Sequence, residues 1–234
     1  MPENLNLIFT LSMSKKRLEI FVDANSFKHL AEVEINRKPS YQKVFENYNV
    51  FTCTVVKKEF AKNVSSRPLS HQVLSKKLSS NKVRVPRTRK IRKLEYNWLN
   101  RFYKKEIKAG KDEGERHLVC TLIEMIIEKN ISRAILVTDD YTARKSFIDD
   151  IFKCTNLGEI WNTADLLLHL YLITNSISFE IIQDAMRDVI SIESMSWKKY
   201  FVKGKDEQSD AKLKMIKDYN SKLIEVKELK NKYK

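Results

Sequence analysis

Apolar positions along the chain follow two rhythms. Compact, largely apolar runs occur at Arg17-Leu-Glu-Ile-Phe-Val-Asp23, Val50-Phe-Thr-Cys-Thr54, Ala134-Ile-Leu-Val-Thr138 and Glu159-Ile-Trp161. Their shortness and their β-branched and aromatic content predict strands, and their near-continuous apolarity predicts burial on both faces. Between them the apolar residues recur at three- and four-residue spacing. Asn25 or Ser26 is expected to cap a helix running to about Arg37, which Pro39-Ser40 ends. Tyr41 to Tyr48 reads as a short helix or loop, and Thr54 as the cap of a helix over Val55 to Asn63. Ser65 to Ser70 and Ser79 to Asn81 have loop composition. Val83 to Lys90 is expected to be extended, because the residue before Pro86 avoids the helical region.

Helix is expected again from Arg89, with Ile91, Leu94, Trp98, Leu99 and Phe102 as its stripe, until Ala109-Gly110. A further helix spans Glu115 to Lys129 with Leu118, Leu122, Ile123, Ile126 and Ile127 buried, and another follows Asp140 through Ala143, Phe147 and Ile151. Asn162 or Thr163 caps a helix to Leu172, and Ser178 one from Phe179 to Ile190. The tail from Asp206 carries Ile216, Tyr219, Leu223, Val226, Leu229 and Tyr233 at helical spacing. Short strands alternating with helices predict a parallel α/β domain.

Onto this pattern fall four acidic stops. Asp23 ends the first strand, Glu59 lies in a helix, Glu115 opens a helix after Gly114, and Thr138-Asp139-Asp140 ends a later strand. A parallel sheet gathers such residues at the carboxyl ends of its strands, where hard oxygens suit a divalent cation. Each acid also has a plainer role. Asp23 or one of Asp139 and Asp140 would cap a helix, Glu59 would pair with a neighbouring lysine, and Glu115 would favour a helix dipole. Asp112, Glu113 and Asp165 read as first-turn acids. The histidines at 29, 71, 117 and 169 show no zinc spacing.

Charge changes the picture further. The net charge is +14, yet between Phe60 and Leu94 there are eleven Lys or Arg and no acid, and from Lys203 onward ten Lys and six acids. The rest is close to neutral. Two basic appendages on a neutral body suit a phosphate backbone. Arg84, Arg87, Arg89, Lys90, Arg92 and Lys93 would track it, with Tyr96 and Trp98 as stacking faces. Arg144 would contact a phosphate or steady an acid.

The order strand-Asp, helix-Glu, Gly-Glu at a helix start and strand-Thr-Asp-Asp-Tyr-Thr-Ala-Arg, followed by Asn162-Thr163-Ala-Asp-Leu-Leu-Leu, resembles the PIN-domain family of metal-dependent ribonucleases. The resemblance covers roughly residues 17 to 192. It implies a three-layer α/β/α sandwich with a central parallel sheet and a Mg²⁺ or Mn²⁺ site. Asp23, Glu59, Glu115 and Asp140, or Asp139 in its place, would be the metal ligands, and Thr138 would orient them. It implies an endoribonuclease, toxin-like or RNA-processing. Small PIN toxins lack both a basic insertion like residues 62–94 and a tail after 192.

The domain division expected is therefore a PIN-like domain over 1–192 and a basic helical extension over 193–234. RNA is the expected partner. A second copy or partner protein would meet the C-terminal stripe, and an inhibitor protein is a further candidate. The rival readings are a non-catalytic RNA-binding or assembly protein on the same fold, and a structure-specific DNA nuclease. No apolar run is long enough to cross a membrane and no signal peptide is visible. Cys53, Cys120 and Cys154, each with apolar neighbours, predict buried reduced thiols, so a cytoplasmic location is expected.

Overall fold

The structure, a computed structural model, describes residues 17–62, 64–80, 83–86, 93, 113–129, 131, 134–140, 151–153, 158–197 and 205–232. The helices expected from Arg89 to Phe102 and after Asp140 lie outside these residues, except for positions 93 and 151–153. So do Tyr96, Trp98, Arg87, Arg89, Lys90, Arg92, Arg144, Cys154 and Tyr233.

Four parallel strands make the sheet: β1 (Glu19–Val22), β4 (Asn49–Phe51), β5 (Ala134–Val137) and β6 (Gly158–Trp161), in the order β4-β1-β5-β6. The fold is α/β, with helices flanking this sheet. Ile20, Phe21 and Val22 are wholly buried, as a central parallel strand demands of an unbroken apolar run. Phe21 stacks on Phe51 of β4 with ring centroids 5.1 Å apart. Gly158 opens β6 at a φ of +153°, so close to β5 that a Cβ there would lie 1.8 Å from the Ala134 carbonyl oxygen. Beyond β4, Arg84 adds one parallel bridge to Phe51.

The helices are α1 (Ala24–Glu32), α2 (Tyr41–Asn47), α3 (Thr54–Ala61), α4 (Leu69–Leu78), α5 (Glu113–Lys129), α6 (Thr163–Ile173), α7 (Phe179–Trp197) and α8 (Lys205–Lys232). Several differ from expectation: α3 begins at Thr54 itself with Cys53 as its cap, and α7 runs on to Trp197 instead of ending at Ile190. Helix α1 is capped by Asp23 instead of Asn25 or Ser26, and it stops at Glu32 instead of Arg37. Asn36 and Arg37 take φ of 54° and 60°, closing a two-residue hairpin between β2 (Glu34–Ile35) and β3 (Lys38–Pro39). Positive φ at both central residues matches the twist of the paired strands, and Asn is among the residues that tolerate it. Helix α4 lies in the basic segment where only loop composition was legible. It packs His71, Leu74 and Leu78 inward. Helix α5 keeps Leu118, Leu122 and Ile123 buried, whereas Ile127 is 68% exposed.

Helix α8 is part of the packed body. Tyr219, Leu223 and Val226 are buried against α6 and α7 of the same chain. The Lys230 ammonium sits over the Tyr171 ring and donates to the carbonyls of Tyr171 and, at 2.9 Å, Thr174. There it neutralises the carbonyl end of α6. Among the described residues no helix is long and apolar enough to cross a membrane. Cys53 and Cys120 are buried thiols, with no disulfide among the described residues.

Candidate functional site

The strand order decides where a site belongs. From β1 the chain passes to β4 on one side, then crosses to β5 on the other. The carboxyl ends of β1 and β5 therefore flank the point where the winding reverses, the usual crevice of an open parallel sheet. Val22 pairs with Val137, so the next residues, Asp23 and Thr138, emerge side by side.

Asp23 is buried. Its Oδ1 accepts the Ser26 N–H at 2.6 Å, capping α1, and its Oδ2 accepts the Thr138 hydroxyl at 2.5 Å. The same hydroxyl oxygen accepts the Asp140 N–H at 3.2 Å. Thr138 thus ties the Asp23 carboxylate to the backbone of Asp140. Burial, and then the charge of Asp139, push Asp23 up to about 6 despite the hydrogen bonds from Thr138 and Ser26.

Asp139 faces another way. Its carboxylate accepts the Thr163 N–H at 2.9 Å and the Thr163 hydroxyl, and it pairs with His29 Nδ1 at 3.1 Å. Burial works to raise Asp139, but the His29 charge and the Thr163 hydrogen bonds overcome it and hold the group down at about 2. His29 is raised in turn, since Asp139 outweighs the effect of burial. Asp139 therefore joins the end of β5 to the start of α6.

Glu59 and Glu115 come from α3 and α5, which meet at Gly114. A Cβ on Gly114 would stand 2.5 Å from Glu59 Oε2, so the missing side chain is what admits the Glu59 carboxylate. Burial of that carboxylate end, in an otherwise exposed residue, and the charge of Glu113 raise Glu59, while Lys28 and His117 draw it back. Glu115 is pushed up to about 7, by burial first and then by Asp23, Asp140 and Glu59. Asp23, Glu59, Glu115 and Asp140 thus share one electrostatic neighbourhood.

The acids outside this set have local roles. Asp165 completes a capping box with Asn162 and pairs with Lys222 of α8 at 2.7 Å. Glu113 lies 3.8 Å from His117 Nε2.

Among the described residues, no three His, Cys, Asp or Glu side chains converge closely enough to form a metal-holding group. The four acids fit a hard divalent cation in charge and donor type. Their mutual repulsion, and the raised proton affinity of Asp23, Glu59 and Glu115, are what such a cation would relieve. The fit does not extend to a closed coordination shell.

The basic residues divide. Arg84 lies with Arg17, Asn49 and Lys77 on a cavity of about 360 Å³. Arg17 and Asn49 stand at the amino ends of β1 and β4, so this cavity is at the end of the sheet away from Asp23. Lys93 is exposed. Sequence reasoning passed over two cations, Lys28 and Arg67. Lys28 on α1 is within electrostatic reach of Asp23, Glu59 and Arg67. Lys28 follows Asn25 by one helical turn, a spacing that would have placed it on the Asp23 side. Arg67 was hidden among the other basic residues of its segment.

Compared with known proteins, the chain matches no protein-family model, no curated protein and no solved structure.

Proposed function

We propose that this chain is a PIN-like endoribonuclease that hydrolyses RNA phosphodiester bonds with Mg²⁺ or Mn²⁺ held by Asp23, Glu59, Glu115 and Asp140. The observation that carries the reading is the Thr138 hydroxyl, which links Asp23 to Asp140 across the switch point of the sheet. Two acids emerging together at that crevice suit phosphoryl chemistry with a divalent cation. Such a cation, when bound, polarises a phosphoryl oxygen and makes a neighbouring water more acidic.

The chain's own residues prepare the ground. Thr138 fixes the Asp23 carboxylate in one orientation. Asp139, committed to Thr163 and His29, sets the path of the chain on which Asp140 sits. Gly114 lets Glu59 approach Glu115. Glu115, near 7, exchanges its proton with solvent around neutral pH. The basic segment and the exposed lysines attract the substrate strand.

A non-catalytic RNA-binding module is the second reading. It is favoured by the open arrangement of the acids, of which no three converge among the described residues. One experiment separates the two. Labelled single-stranded and structured RNAs are incubated with the protein in Mn²⁺, beside Asp23→Asn and Asp140→Asn. Cleavage abolished by EDTA and by both substitutions is expected. Intact RNA bound tightly at low salt would reject the nuclease and leave the binding module.

A further inference from the structure

Lys28 and Arg67 stand together without a carboxylate of their own. Lys28 Nζ donates to Asn25 Oδ1 at 2.8 Å. Arg67 Nη1 donates to the Phe60 carbonyl at 3.3 Å, and its guanidinium lies over the Phe60 ring, 5.9 Å from the centroid. The two positions are joined through Phe60, because Phe27, the neighbour of Lys28, makes an edge contact with that ring at 6.0 Å. Both side chains are half-buried.

Three carboxylates lie within electrostatic reach of Lys28, yet none forms an ion pair with it among the described residues. Glu32 meets His71 Nε2 at 3.0 Å, Asp23 holds Ser26 and Thr138, and Glu59 is tucked against Gly114. Among the described residues neither Lys28 nor Arg67 makes an ion pair. A purely structural role for two half-buried cations would be expected to supply counter-ions. Here the groups that touch the two cations are a neutral amide, a carbonyl and an aromatic face, and the three carboxylates offset the Lys28 charge only from a distance. Burial, and then the like charge of Arg67, hold Lys28 below the ordinary lysine range against the pull of Asp23, Glu59 and Glu32, and an added anion would ease the repulsion between the two cations.

We propose that Lys28 and Arg67 form a subsite for a backbone phosphate of single-stranded RNA, adjacent to the acid cluster. The proposal rests on the nuclease reading for its substrate class. An ammonium with two remaining hydrogens and a guanidinium with four suit the several oxygens of a phosphodiester. Cations beside acids let one strand present a phosphate to each, so the subsite sets how the strand lies relative to the bond that is cut.

The test is equilibrium binding of a fluorescent single-stranded RNA 12-mer in EDTA, where no cleavage occurs, over a range of salt. Lys28→Met and Arg67→Gln are each expected to weaken binding about tenfold. Each also lowers the salt slope by about 0.7, the loss of one phosphate contact on a single strand. Lys28→Arg restores both. Lys76→Met, an exposed lysine of α4, changes affinity less than twofold. Unchanged affinity and slope in both variants, equal loss in Lys76→Met, or no binding by the wild type would overturn the subsite. Unchanged melting temperatures exclude misfolding as the cause of a loss. Cleavage in Mn²⁺ is scored separately. A wild type that binds through Lys28 and Arg67 but never cuts keeps the subsite and rejects the nuclease.

Discussion

Gly114 shows how one absent side chain shapes the neighbourhood. Its Cα faces the Glu59 carboxylate, and a methyl group there would collide with the end of a flexible side chain and not with backbone. The fold has an easy escape, because Glu59 can swing outward. Alanine also favours helix over glycine by up to about 1 kcal/mol. Gly114→Ala should therefore leave the urea midpoint unchanged or slightly raised, while Mn²⁺-dependent cleavage falls at least about tenfold as Glu59 leaves the cluster, a loss near 1.4 kcal/mol. A large drop in stability would show that the carboxylate has nowhere else to go. Neighbouring positions differ just as sharply. Asp139 and Asp140 are consecutive, yet one is held by α6 and His29 while the other meets Thr138 through its backbone. Nothing in the dipeptide distinguishes them. Only the arrival of Thr163 beside β5 does.

Among the elements, α8 has the closest bearing on the site's surroundings. The Tyr219 hydroxyl accepts from Asn162 Nδ2 at 3.0 Å and donates to Glu193 at 3.0 Å. Asn162 caps α6, and the next residue, Thr163, holds Asp139. The last helix thus braces the turn that positions Asp139. Tyr219→Phe removes the hydroxyl but keeps the ring, so the buried Glu193 carboxylate and the Asn162 amide each lose the hydrogen bond it makes. A loss of about 1–2 kcal/mol is expected in urea unfolding with the slope unchanged. A neutral result would mean that water replaces the hydroxyl. The helical spacing of Tyr219, Leu223 and Val226 was visible in the sequence, but a stripe does not say what covers it. The hairpin at Asn36-Arg37 was not visible for a related reason. It contains no glycine, and the helical pattern before it runs on without a break. Helix α4 was masked by the serines on either side and by a buried face of only three residues.

Across the whole molecule, the acids and their partners set how stability depends on pH. Asp23 at about 6 and Glu115 at about 7 both lie above their ordinary values of 3.8 and 4.5. Between roughly pH 4 and 7 the folded chain holds protons that the unfolded chain has released, so stability falls as pH rises through this window. His29, also raised, adds to the fall above its ordinary 6.5. Asp139, held at about 2, acts oppositely, and its contribution is lost as pH drops below 3.8. In EDTA, thermal melts should therefore peak near pH 4–5 and decline toward pH 8. Saturating Mn²⁺ should flatten the decline, since a bound cation keeps the carboxylates ionised. A decline of equal slope with and without Mn²⁺ would mean that no cation reaches these acids.

The sequence by itself determined the α/β class, the parallel strands to within three residues at either end, and which element carries each of the four acids. Those properties follow from apolar runs, helical spacing and capping residues, all of which act over a few positions. The tertiary structure alone decided that Thr138 joins Asp23 to the backbone of Asp140, that Asp139 turns to Thr163 and His29, and that Lys28 comes within electrostatic reach of Arg67. Each of those contacts joins segments distant in the chain. Their partners are chosen by strand register and helix packing, which local residue patterns constrain but do not specify.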